Sequence, residues 1–171
     1  PQITFFKVVY RRHTNFSMES IEQTWNGSKL TNGSRITATI SRNGDLVHRM
    51  YIVGAATTVA NGDNPGALFV KDIEVQIGGQ RIDKHYGNWL EIWAELTEPN
   101  SAGVVADASL AATNMTSGTK FQNMSGYGGV DADGDTTAMR FNIPLQFWFC
   151  RNPGLALPLI ALQYHEVKII M

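Results

Sequence analysis

The amino-acid sequence predicts an all-β, antiparallel two-sheet sandwich, and three observations predict it. Short runs of alternating apolar and polar residues, each bounded by turn residues, dominate the chain. Two of these runs, 72–77 and 80–86, are separated by Gly78-Gly79, a two-residue hairpin signal because a type I′ turn needs positive φ at both centres. In the run 140–149, Phe141, Ile143, Leu145, Phe147 and Phe149 share one parity, which supplies a heavily aromatic core face.

Taken in order, the first candidate strand is 15–25. Phe16 and Met18 share one face while Ile21, Gln23 and Trp25 fall on the other parity, so a β-bulge near Glu19 and Ser20 is expected to restore a single apolar face. The run 35–41 places Ile36, Ala38 and Ile40 together, and a strand beginning at Leu46 follows the turn Asn43-Gly44-Asp45. In 72–77, Ile73, Val75 and Ile77 are expected inward, facing Phe141, Ile143 or Phe147, with Asp72, Glu74 and Gln76 outward. Pro144 cannot donate to a ladder, so its strand is expected at a sheet edge or with an irregularity there. One helix is expected over 89–98, capped by Asn88 with Glu91 three residues on and closed by Pro99; Trp89, Leu90, Trp93 and Leu96 form its buried stripe. The segment 99–138 is rich in Ala, Gly, Ser, Thr, Asn and Asp, and reads as a long exposed loop.

Length and composition limit the function. The chain has 171 residues, 43% of them hydrophobic, which suits one domain with a real core, 1–171. Its formal net charge of -1 leaves no global excess of basic residues to neutralise phosphates, so no direct nucleic-acid binding is expected. Cys150 is the single cysteine, which excludes an intramolecular disulfide and fits a reducing compartment. No apolar run reaches the roughly 20 residues that span a bilayer, and the start lacks the order of a signal peptide.

Several motifs invite chemistry and fail its spacing. In LALPLIALQYHEV (155–167), Tyr164, His165 and Glu166 are adjacent, but on a strand His165 points with Val167 and Ile169 while Glu166 points the other way. A zinc-protease pattern would need a second histidine at position 169, which is Ile169. His13, His48 and His85 lie on separate segments, so a cupin-like metal site lacks paired ligands. There is no G-x-S-x-G, the glycine-rich GYGGVDADGDT is not set between a strand and a helix, and counting an EF-hand from Asp131 puts Asn142 where a glutamate is required. Lys7, Arg11 and Arg12 form a small basic cluster among aromatics, read as a solvated strand end or as a contact for an acidic partner or lipid headgroups. Asn15, Asn26, Asn32, Asn114 and Asn123 each begin an N-x-S/T triplet, and without a secretory signal these carry no weight. No catalytic, cofactor-binding or metal-binding residues are therefore expected.

Four segments in order, PQITFFKVVYRRHTNF at the start, ISRNGDL (40–46), DIEVQIGGQRIDKHY (72–86) and NPGLALPLIALQYHEVKI (152–169), resemble the major capsid proteins of the nucleocytoplasmic large DNA viruses. The resemblance implies a jelly roll of strands B to I, the first of two rolls in a subunit that assembles as homotrimers. On this sequence B is 15–25, C 35–41, D 46–57, E 69–77, F 80–86, G 140–149 and H 163–170, with the one helix in the F–G connection; strand I is not seen, and the chain is expected to be part of a longer subunit. It also implies a structural, non-enzymatic role without cofactor in an icosahedral shell, contacts between capsomers and with minor capsid proteins, proximity to an inner membrane, assembly in the host cytoplasm, and D–E and F–G loops (58–68 and 87–139) on the outer side. The alternative from another class is a carbohydrate-binding jelly roll using Trp89 or Trp148 in a groove.

Overall fold

The strict alternation of 72–77 builds the central strand of the main sheet. In the computed structural model, which describes residues 15–27, 33–56, 62–63, 65–98, 120–126, 131–132 and 139–171, this strand is flanked on both sides. The strands are β1 (Thr37–Thr39), β2 (Leu46–Val47), β3 (Tyr51–Ala56), β4 (Gly62–Asp63), β5 (Asp72–Ile77), β6 (Gln80–Tyr86), β7 (Asp131–Ala132), β8 (Met139–Pro144), β9 (Leu157–Pro158) and β10 (Val167–Ile170). Among the described residues, the α-helices are α1 (Pro65–Phe69), α2 (Gly87–Thr97), α3 (Lys120–Ser125) and α4 (Trp148–Arg151).

The main sheet runs β1-β10-β5-β6, all neighbours antiparallel. In the lettering above this is C-H-E-F. Ile73 and Val75 of β5 are completely buried, as are Ile143, Phe147 and Phe149. They form one core with Ile52, Phe141, Leu145, Val167 and Ile169, and Ile77 packs partly buried against it. The second layer is the β3–β8 ribbon, D with G, whose register sets buried Ile52 opposite buried Ile143. The expected facing of 73, 75 and 77 towards 141, 143 and 147 is met within that single core.

The hairpin turn follows the reading of the two glycines. Gly78 and Gly79 have φ of 59° and 84°, the left-handed values a type I′ turn requires. Gly78 has a second reason to lack a side chain: a Cβ there would stand 2.7 Å from Nδ1 of His165. At Gly87 the demand is close approach instead, since a Cβ would collide with the carbonyl oxygens of Ala67 and Val70 where α1 meets α2.

Several expected elements are corrected. Segment 15–25 forms no strand, and Phe16 is 82% exposed, with Met18 and Ile21 also exposed. Only Asn26 pairs with the sheet, exchanging backbone hydrogen bonds of 2.7 and 2.9 Å with Thr37; at Ser41 the Gln23 side chain replaces the ladder, accepting from the backbone N–H and donating to the hydroxyl. Alternation assigns faces but does not supply a partner strand, and among the described residues 15–25 has none. Strand D breaks at 48–50, where the chain leaves β9, the partner of β2, for β8, the partner of β3. Strand E starts at Asp72 because Phe69 ends α1, where its ring lies tilted against Phe141 at a centroid distance of 6.0 Å. Strand C is shorter, Thr37–Thr39, but its buried residues Ile36 and Ala38 are those expected.

Strand G ends at Pro144, so Phe147 and Phe149 reach the core from the turn into α4 and from α4 itself; the parity was right and the strand too long. Strand H begins at Val167, because 160–166 turns back in a 3-10 turn (Ile160–Leu162) rather than running extended. The helix begins at Gly87, places Asn88 inside it, and has Tyr86 at its cap without a side-chain hydrogen bond. It buries Gly87, Leu90 and Ala94, leaving Leu96 77% exposed and Trp89 and Trp93 half-buried. The helix is not single: α3 lies in the F–G connection too, and partly buried Phe121 packs on the core from a segment expected to be loop. The remainder of 99–138 is largely outside the described residues.

Two stability outcomes follow from this packing. Phe147→Ala should lower the unfolding free energy by about 3–5 kcal/mol, the range for deleting a buried phenylalanine, as read by urea titration. A change below about 1 kcal/mol would show that this face is not core. Gly78→Ala and Gly79→Ala each force an alanine into the left-handed region at a cost of about 1–2 kcal/mol. Only Gly78→Ala must also displace the His165 ring, so it should be the more damaging of the two; equal losses would contradict the contact.

Candidate functional site

The triplet at 164–166 is a clamped turn. Arg42 donates to the carbonyl oxygens of Leu162 (2.8 Å), His165 (3.0 Å) and Gln163, and the His165 N–H donates to the Leu162 carbonyl at 2.9 Å. Tyr164 projects at 87% exposure, and His165 is exposed with its ring over Gly78. This corrects the expectation that His165 lies on a strand and shares the face of Val167 and Ile169. Glu166 pairs with Lys168 at 2.7 Å, and that hydrogen bond and charge hold the exposed carboxyl below the usual glutamate range. The triplet's acid is thus committed to a lysine, and its histidine packs on a glycine.

The other candidate groups do not assemble. His13, Lys7, Arg11, Arg12, Asn32 and Asn114 lie outside the described residues. Among the described residues no three histidine, cysteine or acidic side chains converge as a metal site. Cys150 is buried, and burial pushes its thiol up to about 11, so it is not a thiolate at neutral pH. Asn15 and Asn26 are exposed, and Asn123 lies in α3. The tryptophans offered for a sugar groove are engaged inside the protein. Trp89 stands 5.8 Å from Trp93 and 6.3 Å from His85, while Trp148 meets Phe149 edge-on at 5.0 Å.

What the structure does bring together is charge on the outer face of the main sheet. Glu74, expected outward, lies on that face but is only 5% exposed. Its carboxylate accepts from Arg35, from Gln76 at 2.8 Å, and faces Arg81 at 3.8 Å. Arg81 reaches it through a register step between Val75 and Gln76, where Ile82 is left without a ladder partner. Alongside, Lys84 pairs with Asp72 at 2.6 Å, and this hydrogen bond raises the exposed ammonium above the usual lysine range. A buried carboxylate needs such partners, since its desolvation is otherwise costly. Sequence alternation could not have found this cluster, because Arg35 and Arg81 come from different strand regions and the bulge that aims Arg81 has no glycine to announce it.

On the inner face, β6 sends His85 into an aromatic corner. The imidazole is 7% exposed and stacks on Phe147 at 4.7 Å with an interplanar angle of 19°. Beside it, Arg151 lies over the Trp93 ring at 4.3 Å and donates to the Gln146 carbonyl at 2.9 Å. The corner joins β6, α2 and α4, and its residue types point to packing.

Comparison with known proteins places the fold. Residues 4–171 match the family model described as major capsid protein N-terminus. The chain is 56% identical to the major capsid protein of Pyramimonas orientalis virus over 99% of this chain and 41% of that protein. To the major capsid protein of Paramecium bursaria Chlorella virus 1 it is 42% identical, over 99% of this chain and 35% of that protein. A solved chain of the PBCV-1 virus capsid, in a quasi-atomic model, superposes with a TM-score of 0.70 at 42% identity, covering 98% of this chain and 37% of that one. The chain thus spans about two-fifths or less of the length of these relatives, and the antiparallel jelly-roll class expected from the sequence is borne out. With its C-H-E-F sheet, its D–G ribbon and these matches along nearly its whole length, the chain belongs to the major capsid protein family of the nucleocytoplasmic large DNA viruses, to whose N-terminal part it corresponds.

Proposed function

We propose that this chain is the first of two jelly rolls in a capsid subunit, and that its work is to build an icosahedral shell through homotrimeric capsomers. The observation that carries the reading is the family match over residues 4–171 together with the likeness to the PBCV-1 virus capsid chain. The physical features agree with a building role. Among the described residues, His165 packs on Gly78, Glu166 is held by Lys168 and Cys150 is buried with its thiol pushed up to about 11. The formal charge of -1 gives no general attraction for nucleic acid, so contacts are with other copies and with minor capsid proteins. The D–E and F–G connections face outward, and the subunit is a virion component assembled in the host cytoplasm near an inner membrane.

Interfaces of this kind bury roughly 1,200 Å² or more. Sedimentation and negative-stain electron microscopy of the full-length product test the reading: a stable trimer with a pseudo-hexagonal outline is expected. A species that stays monomeric at all concentrations would contradict it.

A further inference from the structure

We infer that His85 is an acid-sensitive latch: protonating the imidazole held against Phe147 and Trp89 loosens the seam where β6, α2 and α4 meet.

The geometry gives a second proton, on Nδ1, no acceptor among the described residues. His85 is nine-tenths buried, one ring face lies on completely buried Phe147, and the Trp89 ring stands 6.3 Å away. Nδ1 is enclosed and, among the described residues, has no hydrogen-bond partner. Neutral imidazole tolerates this by leaving Nδ1 as a bare acceptor, whereas the imidazolium would carry a buried N–H without an acceptor, at a desolvation penalty. Among the described residues, two charged groups act on the ring. Asp83, on β6 itself, sets Oδ2 3.4 Å from Nε2 and favours the proton; Arg151, from α4, opposes it. Opposite on β5 is apolar Ile73, while Asp72 and Glu74 occupy the other face of the sheet. Burial outweighs the carboxylate, and the histidine sits below its ordinary range, first through desolvation, then through Arg151.

The sign follows. The unfolded chain takes this proton near pH 6.5 and the folded chain only at lower pH. Stability is therefore full above about 6.5, falls as the pH drops through that value towards the folded-state pKa, and levels off below it. The loss is about tenfold in the folding equilibrium constant for each unit of separation. The seam is where it should appear, because α2 begins at Gly87, two residues after His85, and α4 begins immediately after Phe147.

The test is urea unfolding of the protein at several pH values between about 7.5 and 5, for the unaltered chain, His85→Phe and Asp83→Asn. The unaltered chain should lose stability across this interval, and His85→Phe should lose markedly less. Asp83→Asn removes the carboxylate that favours the proton and should lose more. If His85→Phe fails to fold, the titration of the His85 ring protons by NMR in the unaltered chain decides together with Asp83→Asn. A ring that takes up its proton at or above pH 6.5 while the chain stays folded would overturn the proposal, as would an undiminished acid loss in His85→Phe or a smaller one in Asp83→Asn.

Discussion

The fold depends on β5 being useful on both faces and both edges at once. Its edges pair with β10 over 74–77 and with β6 over 72–77, so ladders on both sides take up its backbone polar groups along most of its length. Its inner face sends Ile73 and Val75 into contact with the aromatic cluster of Phe141, Phe147 and Phe149. At about 25 cal/mol per Å² of apolar surface removed from water, burial of that inner face stabilises the strand. Its outer face carries Glu74, which ties Arg35 from the approach to β1 and Arg81 from β6 onto the same strand. Removing either arginine would leave a buried carboxylate short of a partner, so the charge cluster and the core hold one strand from opposite sides.

The second layer is thinner, and its economy explains where the chain turns. β3 and β8 pair only with each other among the described residues, and the aromatic parity of 141–149 outlasts the strand. Pro144 ends the ladder, yet the Leu145 N–H still donates to the Met50 carbonyl at 3.0 Å, keeping the backbone extended long enough to deliver Phe147 to the core. A short helix then turns Phe149 and Cys150 inward. The clamp of Arg42 on three carbonyls performs a similar service at 160–166, allowing β10 to enter beside β5 in register.

Much of this was legible in the sequence. The pair Gly78-Gly79 located the hairpin and its turn type, and the strand that follows has the expected bounds. The alternation of 72–77 and 141–149 named the core. Parity, however, states which side chains share a face and says nothing about whether a neighbour is present. Segment 15–25 therefore read as a bulged strand and is irregular, with Phe16 in solvent, and 46–57 read as one strand although it serves two partners in turn. Glu74 read as solvated because its arginines arrive from distant segments and through a register step. His165 read as a strand residue because nothing in QYHEV announces a turn held by Arg42, an arginine 123 residues away.

Native-state amide hydrogen exchange addresses the central dependence on β5 most directly, since amides that open only on global unfolding mark the last structure to yield. The N–H groups of β5 and β10, the two interior strands of the main sheet, should exchange slowest in the protein, and Phe147→Ala should accelerate them together. Slowest exchange in α2 or in the β3–β8 ribbon, with β5 opening earlier, would contradict the account.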